Sequence, residues 1–290
     1  MRIKIYILAL AMLVAATVSA QSVNYEKRYE LLVSQVGPGG IGVETLLDKW
    51  QAVDSTNHKM LSARFDYYLA KSQSEQVIKK SQKKYLGMDP LLSLKDSTGA
   101  PVYYFREMLY DDELFAKALK TADRLVSLYP DDLDYRFLKA NALVAYEKES
   151  PDMAYAYLSD LITENASRTR PWNYEGKKME RGFFPEAMQE YCRSFYLVGG
   201  DAAMNVFFSL SKRLWELYPS NVCFLSNMAT YYLVAQDDPK TALKYYNKVL
   251  KKVKDDQTAL RNSYVAASKL KNDKLKEKYR QQLVQYGYIK

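Results

Sequence analysis

One nine-residue pattern occurs twice in this chain. Arg124-Leu125-Val126-Ser127-Leu128-Tyr129-Pro130-Asp131-Asp132 returns 89 residues later as Arg213-Leu214-Trp215-Glu216-Leu217-Tyr218-Pro219-Ser220-Asn221. Each copy reads as the end of an amphipathic helix, a proline that stops it, and small polar residues able to cap the next helix. A helix stop that recurs at this distance implies an array of similar units, which constrains the fold more than composition does.

Helix pairs follow from Val102 onward. Apolar spacing places them near 102–110 with 112–129, 133–147 with 151–164, 184–198 with 201–218, 221–235 with 238–253, and 256–270 with 272–287. Their connections end on Asp111-Asp112, Ser150-Pro151-Asp152, Gly199-Gly200-Asp201, Asp237-Asp238-Pro239 and Asn272-Asp273, all helix-starting sequences. Two units of about 34 residues leave a remainder of the length of Glu164 to Phe184. That stretch lacks helical period and reads as an insertion. Trp172 and Tyr174 within it are candidates either to reach over a binding groove or to pack on the next helix.

The region before Val102 is less regular. Tyr25 to Gln35, Val43 to Val53 and His58 to Lys71 read as helices, with Gly37-Pro38-Gly39-Gly40 breaking the first two. Ser74 to Tyr85 reads as a lysine-rich partner helix, and Gly87 to Pro101 as a loop or short hairpin. With only eleven glycines and nine prolines, the composition favours helices. The twenty-six tyrosines suit half-buried helix seams, with a platform for stacking carbohydrate or peptide as the alternative.

The first twenty residues have the form of an export signal. Arg2 and Lys4 precede an apolar run from Ile5 to Ala16, and Val18-Ser19-Ala20 offers small residues for cleavage. The expected mature chain starts at Gln21, with an uncleaved anchor as the alternative. No cysteine follows the run, so lipid attachment is not expected, and no later segment reads as membrane-spanning. The expected location is the periplasm, with secretion as the alternative. The segments are therefore a signal at 1–20, an irregular helical region at 21–100 with a degenerate repeat, and the array at 101–290.

Charge is concentrated at one end. Residues 237–290 hold fourteen Lys or Arg against six Asp or Glu, which equals the whole net charge of +8. Lys240, Lys244, Lys248, Lys251 and Lys252 follow helical spacing and form a stripe. This stripe is a candidate surface for an anionic envelope component, or a solvated face that keeps the array soluble. Export disfavours nucleic acid as a partner.

The residues of the array resemble the tetratricopeptide repeat family. The best match is Leu225, Met228-Ala229 and Tyr232 in a first helix, then Ala242, Tyr246 and Val249 in a second, with one extra residue at Gln236-Asp237-Asp238 and Lys254 where proline is expected. Phe115, Ala118, Ala122, Leu125 and Pro130 fit a second helix without a gap. Tyr135, Leu138, Ala154, Leu158 and Leu161 match more weakly, and Leu260, Ala267, Leu275, Tyr279 and Leu283 fit a capping unit. The resemblance covers about 102–290, with 58–86 as a worn repeat. It implies an all-α fold, a right-handed α-solenoid of helix-turn-helix repeats whose first helices line a concave groove. On these positions the groove candidates are Cys223, Ser226, Thr230, Leu233 and Val234, then Thr258, Arg261, Val265 and Ser268. The family's lysine-and-asparagine clamp for a C-terminal carboxylate is not matched beyond Asn227.

Little in the chain points to catalysis. His58 is the only histidine, so neither a triad nor a multi-histidine metal site is separately specified. Cys192 and Cys223 have no C-x-x-C spacing, and an offset of roughly 8 Å along neighbouring helices favours two separate thiols over a bridge. Gly37 to Gly42 lacks the Lys-Ser/Thr of a phosphate loop. Asp111-Asp112 and Asp131-Asp132 sit at helix starts, where they cap. The expectation is a non-catalytic protein-binding or scaffold protein of the cell envelope, without cofactor or metal. It would capture a peptide or partner helix in its groove. A carbohydrate-binding helical repeat protein is the alternative.

Overall fold

A computed structural model describes residues 23–147 and 149–290. The export signal expected at 1–20 lies outside the described residues. Twelve helices dominate the fold among the described residues. They are α1 (Tyr25–Val36), α2 (Val43–Val53), α3 (His58–Ser72), α4 (Asp112–Leu128), α5 (Leu133–Tyr146), α6 (Asp152–Ser167), α7 (Phe183–Val198), α8 (Gly200–Leu217), α9 (Val222–Val234), α10 (Pro239–Lys252), α11 (Gln257–Lys269) and α12 (Asp273–Gln285). No helix among the described residues is long and apolar enough to cross a membrane.

The repeated pattern produces repeated geometry. Tyr129 and Tyr218 each leave a helix with nearly the same backbone angles, φ −124°, ψ 66° and φ −125°, ψ 63°. A residue before proline is pushed out of the helical region, so each helix ends there. The side chains at the next start then take over. Asp132 accepts from the Asp134 amide at 3.1 Å and Asn221 from the Cys223 amide at 3.1 Å. Asn57, Asp111, Asp238, Asp256 and Asn272 cap their helices in the same way. The α6 start has Pro151 in place of a capping side chain, and the Glu147 carboxylate accepts from the Met153 and Ala154 amides instead.

Two expected helices are strands. The segment read as a helix at 74–85 begins as β1 (Gln73–Lys80), and the helix expected near 102–110 is β3 (Pro101–Tyr110). Together with β2 (Leu92–Lys95) they form an antiparallel sheet in the order β1-β3-β2. Asp96 shapes the β2–β3 turn by accepting from Thr98 and Ala100, with Gly99 at φ +85°. The short apolar runs fit both a helical and a strand period, and the β-branched and aromatic residues of Pro101–Tyr110 decide for the strand. The partner of α4 is therefore α3, against which it packs. The sheet is spliced between these two helices, and the Asp111 amide donates to the Ser72 carbonyl at 2.8 Å across its base. The loop before β2 is seated on α7. A Cβ on Gly87, which has φ +77°, would lie 2.1 Å from the Leu197 carbonyl oxygen.

Successive helices pack on one another. Contacts join α1 to α2, α2 to α3, α4 to α5, α5 to α6, and every consecutive pair from α7 to α12, while α6 also meets α8 and α9 meets α11. Small side chains sit where helices approach closely. Ala118, Ala122, Ala140, Ala154, Ala229 and Ala242 are all fully buried. Large rings fill the spaces between, as in the Phe115–Tyr146 stack at 4.0 Å. Several tyrosines are packing rings with a bonded hydroxyl. Tyr246 is fully buried and Tyr279 nearly so, yet each hydroxyl has a hydrogen-bond partner.

Replacing residues 75–108 by Asn-Gly, a sequence suited to a two-residue hairpin turn, is expected to leave the helices folded. Ser74 and Leu109 already face each other as Cα partners. Circular dichroism and urea unfolding check this, and loss of cooperative unfolding would contradict it.

Candidate functional site

Polar side chains tie alternate helices together. Tyr191 on α7 donates to Asn141 on α5 at 2.9 Å. Gln189 on α7 and Asn227 on α9 exchange amide hydrogen bonds at 2.8 and 3.3 Å, and Asn227 also reaches Ser211 on α8 at 3.1 Å. The buried Tyr246 hydroxyl on α10 then joins Thr230 on α9, at 2.8 Å, to Asn262 on α11, at 2.9 Å. The bonded series runs from α5 through α7 and α9 to α11. Tyr246 and Ser211, among these, have no direct access to solvent.

The groove candidates divide on this geometry. Ser226 and Leu233 are buried, at 7% and 4% exposure, so neither lines an open surface. The reason is that α9 packs against α8, α10 and α11, leaving Cys223 and Val234 exposed and Val222, Asn227, Thr230, Tyr231 and Tyr232 half-buried. On α11, Arg261 and Val265 are exposed, and Arg261 approaches the Tyr288 carbonyl at 3.5 Å. Asn141 and Asn227 were not singled out as a bonded set from the sequence, because their partners Tyr191 and Gln189 lie far along the chain.

The insertion folds onto the start of α5. Its hairpin, β4 (Asn173–Tyr174) and β5 (Lys177–Lys178), turns at Glu175-Gly176, both with positive φ. The Asn173 amide donates to the Asp131 carbonyl and the Glu175 amide to the Asp134 carboxylate, each at 2.8 Å. Trp172 is buried, with its indole N–H on Asn165 Oδ1 at 2.7 Å. The Arg168 and Arg136 guanidinium carbons lie 3.5 and 4.6 Å from its ring centroid. With the ring so covered, no face is open for stacking a sugar. Tyr174 packs against Phe137 and Phe183 at 5.8 and 5.0 Å between ring centroids. Both aromatic residues therefore hold the insertion down.

Charge organises the same corner. Arg136, almost buried, grips Glu164 through two nitrogens, at 2.7 and 3.3 Å. Arg168 reaches both Glu164 and Asp131, and its hydrogen bond holds the Asp131 carboxyl below the usual range. Burial first, and the neighbouring Asp134 second, push Asp132 up to about 6. Beside these groups lies a cavity of about 550 Å³, lined by Asn165, Arg168, Arg170, Trp172, Arg181 and Tyr218 among others.

The lysine stripe is a surface feature. Lys240, Lys244, Lys248, Lys251 and Lys252 are all exposed, and none has an ion-pair partner among the described residues. Lys252 donates to the Pro219 carbonyl at 3.0 Å and lies over Trp215, while Lys248 lies over Tyr245.

Cys192 and Cys223 are both free thiols, one buried and one exposed. Burial pushes the Cys192 thiol up to about 12. His58 is exposed at the start of α3, with Nδ1 2.8 Å from the Tyr135 hydroxyl. Glu107 and Glu149 converge on the Tyr85 hydroxyl, at 2.9 and 2.6 Å. Their contact pins the loop before β2 between β3 and the α5–α6 connection, 64 residues away from Tyr85 in the Glu149 case. That separation hid it from the sequence.

Trp172→Ala is expected to cost about 3–5 kcal/mol in urea unfolding, since it empties a buried site. Trp172→Phe keeps most of the ring but leaves Asn165 Oδ1 without its donor, at about 1–3 kcal/mol. Asp132 binds its proton more tightly folded than unfolded, so its ionisation lowers stability as pH rises from about 4 to about 6. Asp132→Asn keeps a capping oxygen and removes that titration. The difference in unfolding free energy between variant and parent is expected to move in the variant's favour across this interval, and a constant difference would contradict it. No protein-family model matches the chain, and no curated protein matches it in sequence.

Proposed function

We propose that this chain is a non-catalytic protein-binding or scaffold protein of the cell envelope. In this reading the helices form a right-handed α-solenoid of tetratricopeptide-like hairpins, with α3/α4, α5/α6, α7/α8, α9/α10 and α11/α12 as the units. Its partner is an extended peptide or a helix, captured along the face of α5, α7, α9 and α11. The observation that supports this most is the bonded series Asn141–Tyr191, Gln189–Asn227 and Thr230–Tyr246–Asn262. It runs across those four alternate helices, as neighbouring hairpins in a stack require.

The amides on that face have the chemistry to meet a peptide backbone, since each side-chain amide both donates and accepts. Val234 and Val265, 57% and 44% exposed, supply apolar contact, and Arg261 adds a charge. The lysine stripe is proposed as a separate surface for an anionic envelope component. Export to the periplasm follows from the leader pattern in the sequence.

Affinity capture from envelope extract with residues 21–290 tests the reading, at low and high salt. A partner held by the groove is expected to survive salt, to be lost with Asn141→Ala and Val265→Arg together, and to be indifferent to Lys244→Glu and Lys248→Glu. Elution by salt and loss with the lysine variants alone would move the binding surface to the stripe. No specific partner under either condition would overturn the proposal.

A further inference from the structure

The spliced sheet is open at its sides. In the order β1-β3-β2, the longer free edge belongs to β1, which has no strand on its outer side among the described residues. Its register runs without a bulge from Gln73↔Tyr110 to Lys80↔Tyr103, and it contains neither proline nor glycine. Six of its eight side chains are exposed, Val77 at 66%. Such an edge presents a row of unpaired N–H and C=O groups to another strand.

We propose that β1 is a self-association edge. It pairs antiparallel with β1 of a second copy about a two-fold axis at Val77. Two-fold symmetry centres an antiparallel pairing on one residue, which then faces its own copy. Centring on Glu75 sets like charges against each other. Centring on Gln76 opposes Glu75 to Val77, and centring on Ile78 opposes Lys79 to Val77. At Val77 alone, Glu75 faces Lys79 of the other copy, and symmetry repeats this pair. Lys79 then guards the edge against the other registers while completing this one.

The two sheets join as one, in the order β2-β3-β1-β1-β3-β2. Alternation places Glu75, Val77 and Lys79 on the same face as Tyr104, the residue paired with both Lys79 and Leu92. Leu92 and Leu94, 51% and 48% exposed, lie on that face too, so the apolar surface continues across the axis. Glu75 at present meets Arg106 at 3.4 Å, with both side chains more than half exposed. An ion pair of that kind contributes little and leaves Glu75 free to meet the second copy.

Sedimentation of the mature chain over a concentration series tests this. A monomer–dimer equilibrium is expected. Glu75→Lys and Lys79→Glu each place two like-charge pairs at the interface and weaken the dimer about tenfold. The double variant E75K/K79E restores it, and mixing the two single variants gives a heterodimer tighter than either homodimer. Circular dichroism confirms that these exposed substitutions leave the fold intact. A chain that stays monomeric throughout overturns the proposal, as does a dimer indifferent to the swaps. The outcome does not depend on what the groove binds.

Discussion

No helix in this molecule buries its apolar stripe alone. α9 carries Phe224, Leu225, Met228, Ala229 and Leu233 inward, and needs α8, α10 and α11 together to cover them. The same dependence runs from α3 to α12, each helix supplying part of its neighbour's interior. Fully buried alanines set the distance of approach, and buried Tyr246 and Tyr279 fill what remains. Phe195 and Phe224 fill such spaces without a polar atom, but each buried tyrosine brings a hydroxyl that needs a partner. The hydroxyls of Tyr191, Tyr246 and Tyr279 meet that need by reaching asparagines on other helices.

A structure held by contacts between successive helices tolerates additions at helix ends. The sheet leaves between Ser72 and Asp111, a single hydrogen bond apart, and does not separate α3 from α4. The second insertion is bound more tightly. Trp172 sits under two guanidinium groups, one of which, Arg136, is itself nearly buried and bonded to Glu164. Removing any one member leaves a buried charge or amide without its partner, which costs more than the member contributes. This insertion is accordingly part of the core, whereas the sheet buries Val102 and Phe105 but leaves Val77, Leu92 and Leu94 exposed.

The candidate surfaces were legible to different degrees. The lysine stripe was readable because a single helix carries it: α10 turns Ala242, Tyr246 and Val249 inward, so lysines at the intervening positions must face out. The candidates for a groove were harder. Ser226 and Leu233 lie on the buried side of α9, since how far a neighbour wraps around that helix is not encoded in its own period. Asn141, Gln189 and Asn227 gain their role from partners about 38 to 50 residues away.

The sequence by itself determined where helices stop and start. Tyr129-Pro130 and Tyr218-Pro219 end two of them by excluding the helical conformation, and Asx side chains open eight of the twelve by satisfying free amides. Both are local effects, settled within a few residues. The tertiary structure decided what these segments do together. Gln73–Lys80 and Pro101–Tyr110 pair as strands, the aromatic residues of the second favouring the extended form and the partner completing it, which neither period alone specified. Trp172 becomes a core residue because Arg136 and Arg168 converge on it from α5 and the end of α6. Burial and pairing depend on residues distant in the chain, and only the folded arrangement brings them within reach.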